Sequence, residues 1–135
     1  MRMNNLHYFA AGLAVALVVC YVALRARTNR KIRLDIPSET FDDVLTLRQI
    51  TSFFKSLGLK KKIHTPFVAK SDAPEIKNKF TTDTVPIEKT GYVCVIAGVY
   101  EEGQDVIRMG KIFYVKSLDE ELEGTLGSDG LVVLS

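Results

Sequence analysis

The sequence predicts an α+β architecture: an N-terminal transmembrane helix followed by a small, mainly antiparallel sheet with one helix packed on it. Three observations lead there. Leu6 to Leu24 is an uncharged apolar run of bilayer-spanning length. A single amphipathic stripe with helix start and stop signals occupies residues 46–57. Most of the rest reads as β-branched and aromatic runs separated by Gly, Pro and acidic turns. A chain of 135 residues holds one ordinary domain with an appendage. With 47% hydrophobic and 25% charged residues, it is not a disordered chain. No internal repeat is visible, and no helix–strand alternation supports a doubly wound sheet.

The anchor comes first. From Met3 to Leu24 no residue carries a fixed charge, and only His7 can titrate. At about 1.5 Å per residue, a helix over Leu6–Leu24 covers about 28 Å, close to the hydrocarbon thickness of a bilayer. Tyr8 and Tyr21 stand near its two ends, where aromatic rings favour the interface. Cleavage signals are poor. A cut after Ala23 puts Tyr21 at −3, and a cut after Ala26 puts Leu24 at −3. Cys20 follows Val19, where a lipoprotein signal needs a small residue. The reading is therefore an uncleaved anchor over residues 1–24, a basic juxtamembrane linker over 25–37, and a globular domain over 38–135.

Charge divides the chain at the same place. The first 34 residues carry Arg2, Arg25, Arg27, Arg30, Lys31 and Arg33 and no acid, a charge of +6. The remainder carries −4. The positive-inside rule puts Arg25–Arg33 and the domain in the cytosol, with a short N-terminus outside. An anchor of this kind resembles the signal anchors of mitochondrial outer-membrane proteins; the endoplasmic reticulum and plasma membrane fit the same pattern. The basic run is first a topology signal. It is also a candidate for lipid headgroups: Arg25, Arg27, Arg30, Lys31 and Arg33, joined by Lys60, Lys61 and Lys62 if the fold turns them to the bilayer. A net negative domain argues against nucleic acid as a partner.

Within the domain, Pro37, Ser38 and Asp42-Asp43 mark a loop or first turn. Thr46-Leu47-Arg48-Gln49 is a capping box, and Leu47, Ile50, Phe53, Phe54 and Leu57 follow at helical spacing. Gly58 supplies the stop. Phe41, Val44 and Leu45 extend the stripe, so the helix is allowed to begin near Ser38. Ile63–Ala69 reads as a short strand that Pro66 confines to an edge or a strand start. Residues 71–78 read as a loop, and Phe80–Lys89 as a weak edge strand. Gly91–Tyr100 is the strongest strand, apolar on both faces. Glu101–Gln104 makes a hairpin loop with Gly103 for positive φ, and Asp105–Lys116 returns, with a bulge expected at Gly110. Ser117-Leu118-Asp119-Glu120 repeats the capping-box pattern and predicts a helical turn. Gly124, Gly127 and Gly130 punctuate a loop before Leu131–Leu134, a buried terminal strand.

The residues offer little chemistry. Two histidines and two cysteines give no zinc spacing, so no metal and no cofactor is expected. There is no P-loop, no Gly-x-Ser-x-Gly and no dinucleotide fingerprint. Cys94 reads as a small buried hydrophobe, with a Cys94–His64 nucleophile pair as the sharper alternative. The acidic clusters at Glu101-Glu102 with Asp105 and at Asp119–Glu123 read as solvated surface. The expectation is a non-enzymatic, single-pass, membrane-anchored interaction domain, an adaptor or accessory subunit that holds a protein partner at a membrane. Two alternatives stand beside it: a membrane-tethered enzyme or ligand-binding module with a site around His64, and an electrostatic sensor of lipid surfaces.

Overall fold

The computed structural model describes residues 31–134. The expected anchor over residues 1–24, and Arg25, Arg27 and Arg30 of the linker, lie outside the described residues. No helix among the described residues is long and apolar enough to cross a membrane.

The elements run β1 (Arg33–Leu34), β2 (Ser38–Leu45), α1 (Leu47–Lys55), β3 (His64–Lys70), α2 (Pro74–Lys79), a 3₁₀ turn (Thr82–Thr84), β4 (Val93–Glu101), β5 (Val106–Ile107), β6 (Met109–Leu118), α3 (Glu120–Leu126) and β7 (Leu131–Val133). This is an α+β domain with a five-stranded sheet, order β2-β6-β4-β3-β7, and a two-stranded sheet, β1-β5. The five-stranded sheet is mixed: β2 runs parallel to β6, and its other pairings are antiparallel. The expectation of a mainly antiparallel sheet holds for β3, β4, β6 and β7. The expectation of one packed helix does not hold, because α2 and α3 are helices too.

Two local corrections explain the difference. Ser38–Leu45 is a strand, not a turn or an early start of α1. Its pairing to β6 slips between Phe41 and Val44, where two residues, Asp42 and Asp43, stand opposite one, Lys116, so that one extra residue is taken into the strand. A bulge changes the period of two and leaves Phe41, Val44 and Leu45 at a spacing that imitates a helix. The Asp43 carboxylate accepts from the Val44 amide at 2.7 Å, which closes the irregularity locally. Pro74–Lys79, read as loop, is helical: Pro74 stands at the helix start and needs no amide partner, Glu75 sits in the first turn, and Lys77 and Lys79 sit in the last. Ala73, Ile76 and Phe80 share its buried side, a short i, i+3, i+7 pattern.

Other elements follow their signals. Thr46 caps α1 with the full reciprocal box: its Oγ1 accepts from the Gln49 amide at 3.1 Å, and the Gln49 side chain accepts from the Thr46 amide at 2.9 Å. Gly58 has φ +64° just beyond. In α3 the cap is Asp119, which accepts from the Leu122 amide at 2.9 Å, rather than Ser117. Gly124 belongs to that helix and not to a loop. Phe80–Lys89 forms no strand: Phe80 makes an isolated parallel bridge to Ile32, and the 3₁₀ turn follows. Gly110 causes no bulge, since β4 and β6 stay in register through the Gly98–Gly110 pair. It lies at φ +142°, and a Cβ there would stand 2.3 Å from the Ala97 carbonyl oxygen.

Pro66 is tolerated because of where β7 ends. β3 pairs with β7 only from Phe67 to Ala69. The Pro66 carbonyl faces that side, accepting from the Leu134 amide at 2.9 Å. The amide and carbonyl of one strand residue point the same way, so the missing proline donor falls beyond the β7 ladder.

Alternation along the register sorts the two faces of the sheet. Val93, Val95, Ala97 and Val99 of β4 share a face with Met109, Lys111, Phe113 and Val115 of β6. Phe53 of α1 meets Phe113 on it edge-on at 5.9 Å, and Glu123 of α3 reaches Lys70 on it at 3.1 Å. Cys94, Ile96 and Gly98 share the opposite face with Tyr114, Ile112 and Gly110. The α2 segment and the small sheet cover that side, with Phe80 against Phe67 at 6.2 Å and Ile107 beside Gly98. Ile32 and Leu34 are only 1% and 7% exposed, so the folded body takes in residues read as linker.

Candidate functional site

A shallow depression of about 370 Å³ opens where β3 begins and β4 ends, lined by His64, Val99, Glu101, Gln104, Val106, Arg108 and Met109. Register explains the gathering. His64 is paired with Glu101, and Val99 with Met109, so four lining residues project from one face of three adjacent strands. Gln104 and Val106 arrive from the hairpin that follows β4, and Arg108 from the break between β5 and β6.

His64 is the best-held group in it. Its side chain is only 10% exposed. Its Nδ1 accepts from the Lys60 amide at 2.9 Å, so a neutral imidazole carries its proton on Nε2. Nε2 stands 4.0 Å from Glu101 Oε1, beyond hydrogen-bond length. Arg108 pairs loosely with Asp35, Nε to Oδ2 at 3.9 Å, and both side chains are well exposed. The depression therefore combines a fixed N–H donor, a carboxylate, a primary amide and a guanidinium over a floor of Val99, Val106 and Met109.

The described basic candidates border the same end of the sheet. Lys60, Lys61 and Lys62 are exposed in the turn before β3, and the Glu102 amide donates to the adjacent Ile63 carbonyl at 2.9 Å. The Arg33 amide donates to the Asp105 carbonyl at 2.8 Å, on the other side of the hairpin. The Arg33 guanidinium lies 3.8 Å from Asp83. Lys31 precedes β1 and is exposed. So Arg33 and Lys60–Lys62 flank one hairpin, whose own Glu101, Glu102 and Asp105 stand between them.

A second surface was not foreseen from the sequence. Tyr92 donates from its hydroxyl to Asp42 at 2.6 Å, and Tyr114 from its hydroxyl to the Ile87 carbonyl at 2.9 Å. Lys89 lies 5.4 Å from the Tyr92 ring centroid and 4.7 Å from that of Tyr114, and donates to Thr40 at 3.0 Å. Lys116 lies 4.3 Å over Tyr92 from the neighbouring strand. The bond to Asp42 raises the Tyr92 pKa above the usual tyrosine value, with burial and the carboxylate charge adding to it. Burial raises Tyr114, with Cys94 contributing. This lattice braces the loop carrying Ile87, a residue that is 85% exposed. The signal lay in alternate residues of β6, Tyr114 and Lys116, which share a face with Tyr92 across the register.

Other candidates separate. Cys94 and His64 stand at opposite ends of β4, because Glu101, seven residues beyond Cys94, is His64's partner. Seven strand residues span about 23 Å, so the pair is no nucleophile and base. Burial raises the Cys94 thiol, against side-chain interactions with Ser71 and Tyr114 that lower it. Asp119 caps α3 and Glu123 pairs with Lys70, so the second acidic cluster has structural work. Among the described residues, no group of three or more His, Cys, Asp or Glu could hold a metal ion. No protein-family model matches the sequence, and neither a curated protein nor a solved structure matches it significantly.

Proposed function

We propose that the chain is a single-pass, membrane-anchored interaction domain, an adaptor or accessory subunit that holds a protein partner beside a bilayer. The observation that supports it most is Ile87, 85% exposed on a loop fixed by Tyr114 and Lys89. An apolar side chain held outward on a loop braced by Tyr114, with Tyr92, Lys89 and Lys116 in the same lattice, brings together the apolar and aromatic groups that interfaces use. Anchoring enters from the sequence. Ile32, the first buried residue described, follows Leu24 by eight positions, at most about 28 Å of extended chain. The partner would then lie close to the headgroups.

Copurification of the full-length protein in mild detergent tests this reading. A stoichiometric partner is expected with the native chain and lost with Ile87→Asp, with an unchanged melting temperature. A clean monomer that retains nothing would overturn the interaction reading. Protease protection on intact membranes tests the topology, since a protected C-terminal domain contradicts a cytosolic one.

A further inference from the structure

We infer that the depression at His64, Glu101 and Arg108 binds a small zwitterion that carries a primary ammonium and a phosphate. This site is distinct from the Ile87 surface and does not depend on it.

The lining dictates the class. Glu101 is the depression's one acid and Arg108 its one fixed cation. A simple anion would meet the Glu101 carboxylate, and a simple amine would meet the Arg108 guanidinium. A ligand with both charges satisfies both groups, with the ammonium on Glu101 and the anion on Arg108. The donors favour phosphate over carboxylate. The His64 Nε2–H, fixed by the Lys60 amide on Nδ1, and the Gln104 amide supplement the guanidinium. Three oxygens of a phosphate can engage donors of different direction, where a carboxylate offers two. The loose 3.9 Å pairing to Asp35 leaves most of the Arg108 fork for a ligand. Val99, Val106 and Met109 supply an apolar floor for the short carbon link between the charges. Lys60, Lys61 and Lys62, exposed beside His64, raise the local concentration of phosphate-bearing species.

Free phosphoethanolamine, a monoester with three terminal oxygens, and the headgroup of an ethanolamine phospholipid, a diester with two, share the pairing of ammonium and phosphate, and the three-donor lining favours the monoester. Titration of the full-length chain in a maltoside detergent, read by calorimetry with phosphoethanolamine as the probe, tests the assignment. Saturable binding is expected, weakened about tenfold or more by Glu101→Gln and by Arg108→Gln, since each removes one charge-assisted contact. Both side chains are exposed enough that the melting temperature should hold. His64→Gln, which keeps an N–H donor, should weaken binding less than His64→Ala. Competition then separates the sources. Displacement by vesicles containing ethanolamine phospholipid, but not by choline phospholipid alone, marks a headgroup site; no displacement by either marks a site for the free compound. Absence of saturable binding overturns the assignment. Equal affinity for inorganic phosphate overturns it too, as does binding indifferent to both charge-removing variants.

Discussion

Tyr92 and Asp42 show how one contact sets a titration. The phenol donates to the carboxylate at 2.6 Å, so losing its proton would leave two anions in contact. The folded-state pKa is raised, so the bond's stabilisation is complete below the unfolded tyrosine value near 10 and is lost as pH rises through the higher folded value. Asp42→Asn is expected to lower the Tyr92 pKa, measured by tyrosinate absorbance, and to flatten the loss of stability above pH 10. Gly110 is a second residue-scale constraint. At φ +142°, with the Ala97 carbonyl where a Cβ would stand, Gly110→Ala is expected to cost about 2–4 kcal/mol by chemical denaturation, from strain and displaced strands together. Cys94 is buried with a raised thiol pKa. It should react with iodoacetamide at neutral pH far more slowly than in the unfolded chain, and rapid alkylation of native protein would contradict that burial.

At the scale of elements, legibility followed the strength of local chemistry. The capping box, the apolar stripe and Gly58 made α1 legible because all three signals agree between Thr46 and Gly58. β4 was legible because a run from Val93 to Tyr100 is apolar on both faces. β2 was not, because its bulge imitates helical spacing and its partner, β6, is far along the chain, with Ser38 paired to Ile112. α2 was hidden by brevity: six residues carry one buried side chain of their own, Ile76, and the flanking Ala73 and Phe80 complete the pattern. For the same reason, the depression could not be read in advance. His64 and Glu101 meet only through the β3–β4 register, which no local pattern announces, although both residues drew notice singly. Thr46→Ala should lower stability by about 1 kcal/mol, since the cap is reciprocal. Removing residues 131–135 should cost several kcal/mol in a thermal or denaturant melt, at roughly 1.5–3 kcal/mol per buried aliphatic residue. Leu131 to Leu134 are all buried. An unchanged melt would contradict their packing.

For the whole molecule, the boundary of the folded body lies earlier in the chain than composition suggests. Charge and apolar content change near residue 34, and that change masked the contribution of Ile32 and Leu34 to the core. A chain shortened to begin at residue 38 should be less stable than one beginning at residue 31 by about 3–6 kcal/mol, the value of two buried aliphatic side chains. Equal denaturation midpoints would show that β1 is dispensable. The sheet's edges are protected by different means. β7 is three residues long, and β2 carries the Asp42-Asp43 bulge with Glu39 nearby. Both devices discourage edge-to-edge pairing between copies of the chain.

The stitching of β1 has a mechanical consequence. The Ile32 amide donates to the Lys79 carbonyl, its carbonyl accepts from Thr81, and the Arg33 and Asp35 amides donate to Asp105 and Ile107. A pull transmitted through the N-terminal chain loads these bonds before it reaches the five-stranded sheet. The first structure to yield would be the small sheet, which packs over Gly98 through Ile107. Yielding there would release several residues of the N-terminal chain while the five-stranded sheet stayed folded. The β1–β5 pairing is thus placed as a mechanical fuse between a load on the N-terminal chain and the five-stranded sheet.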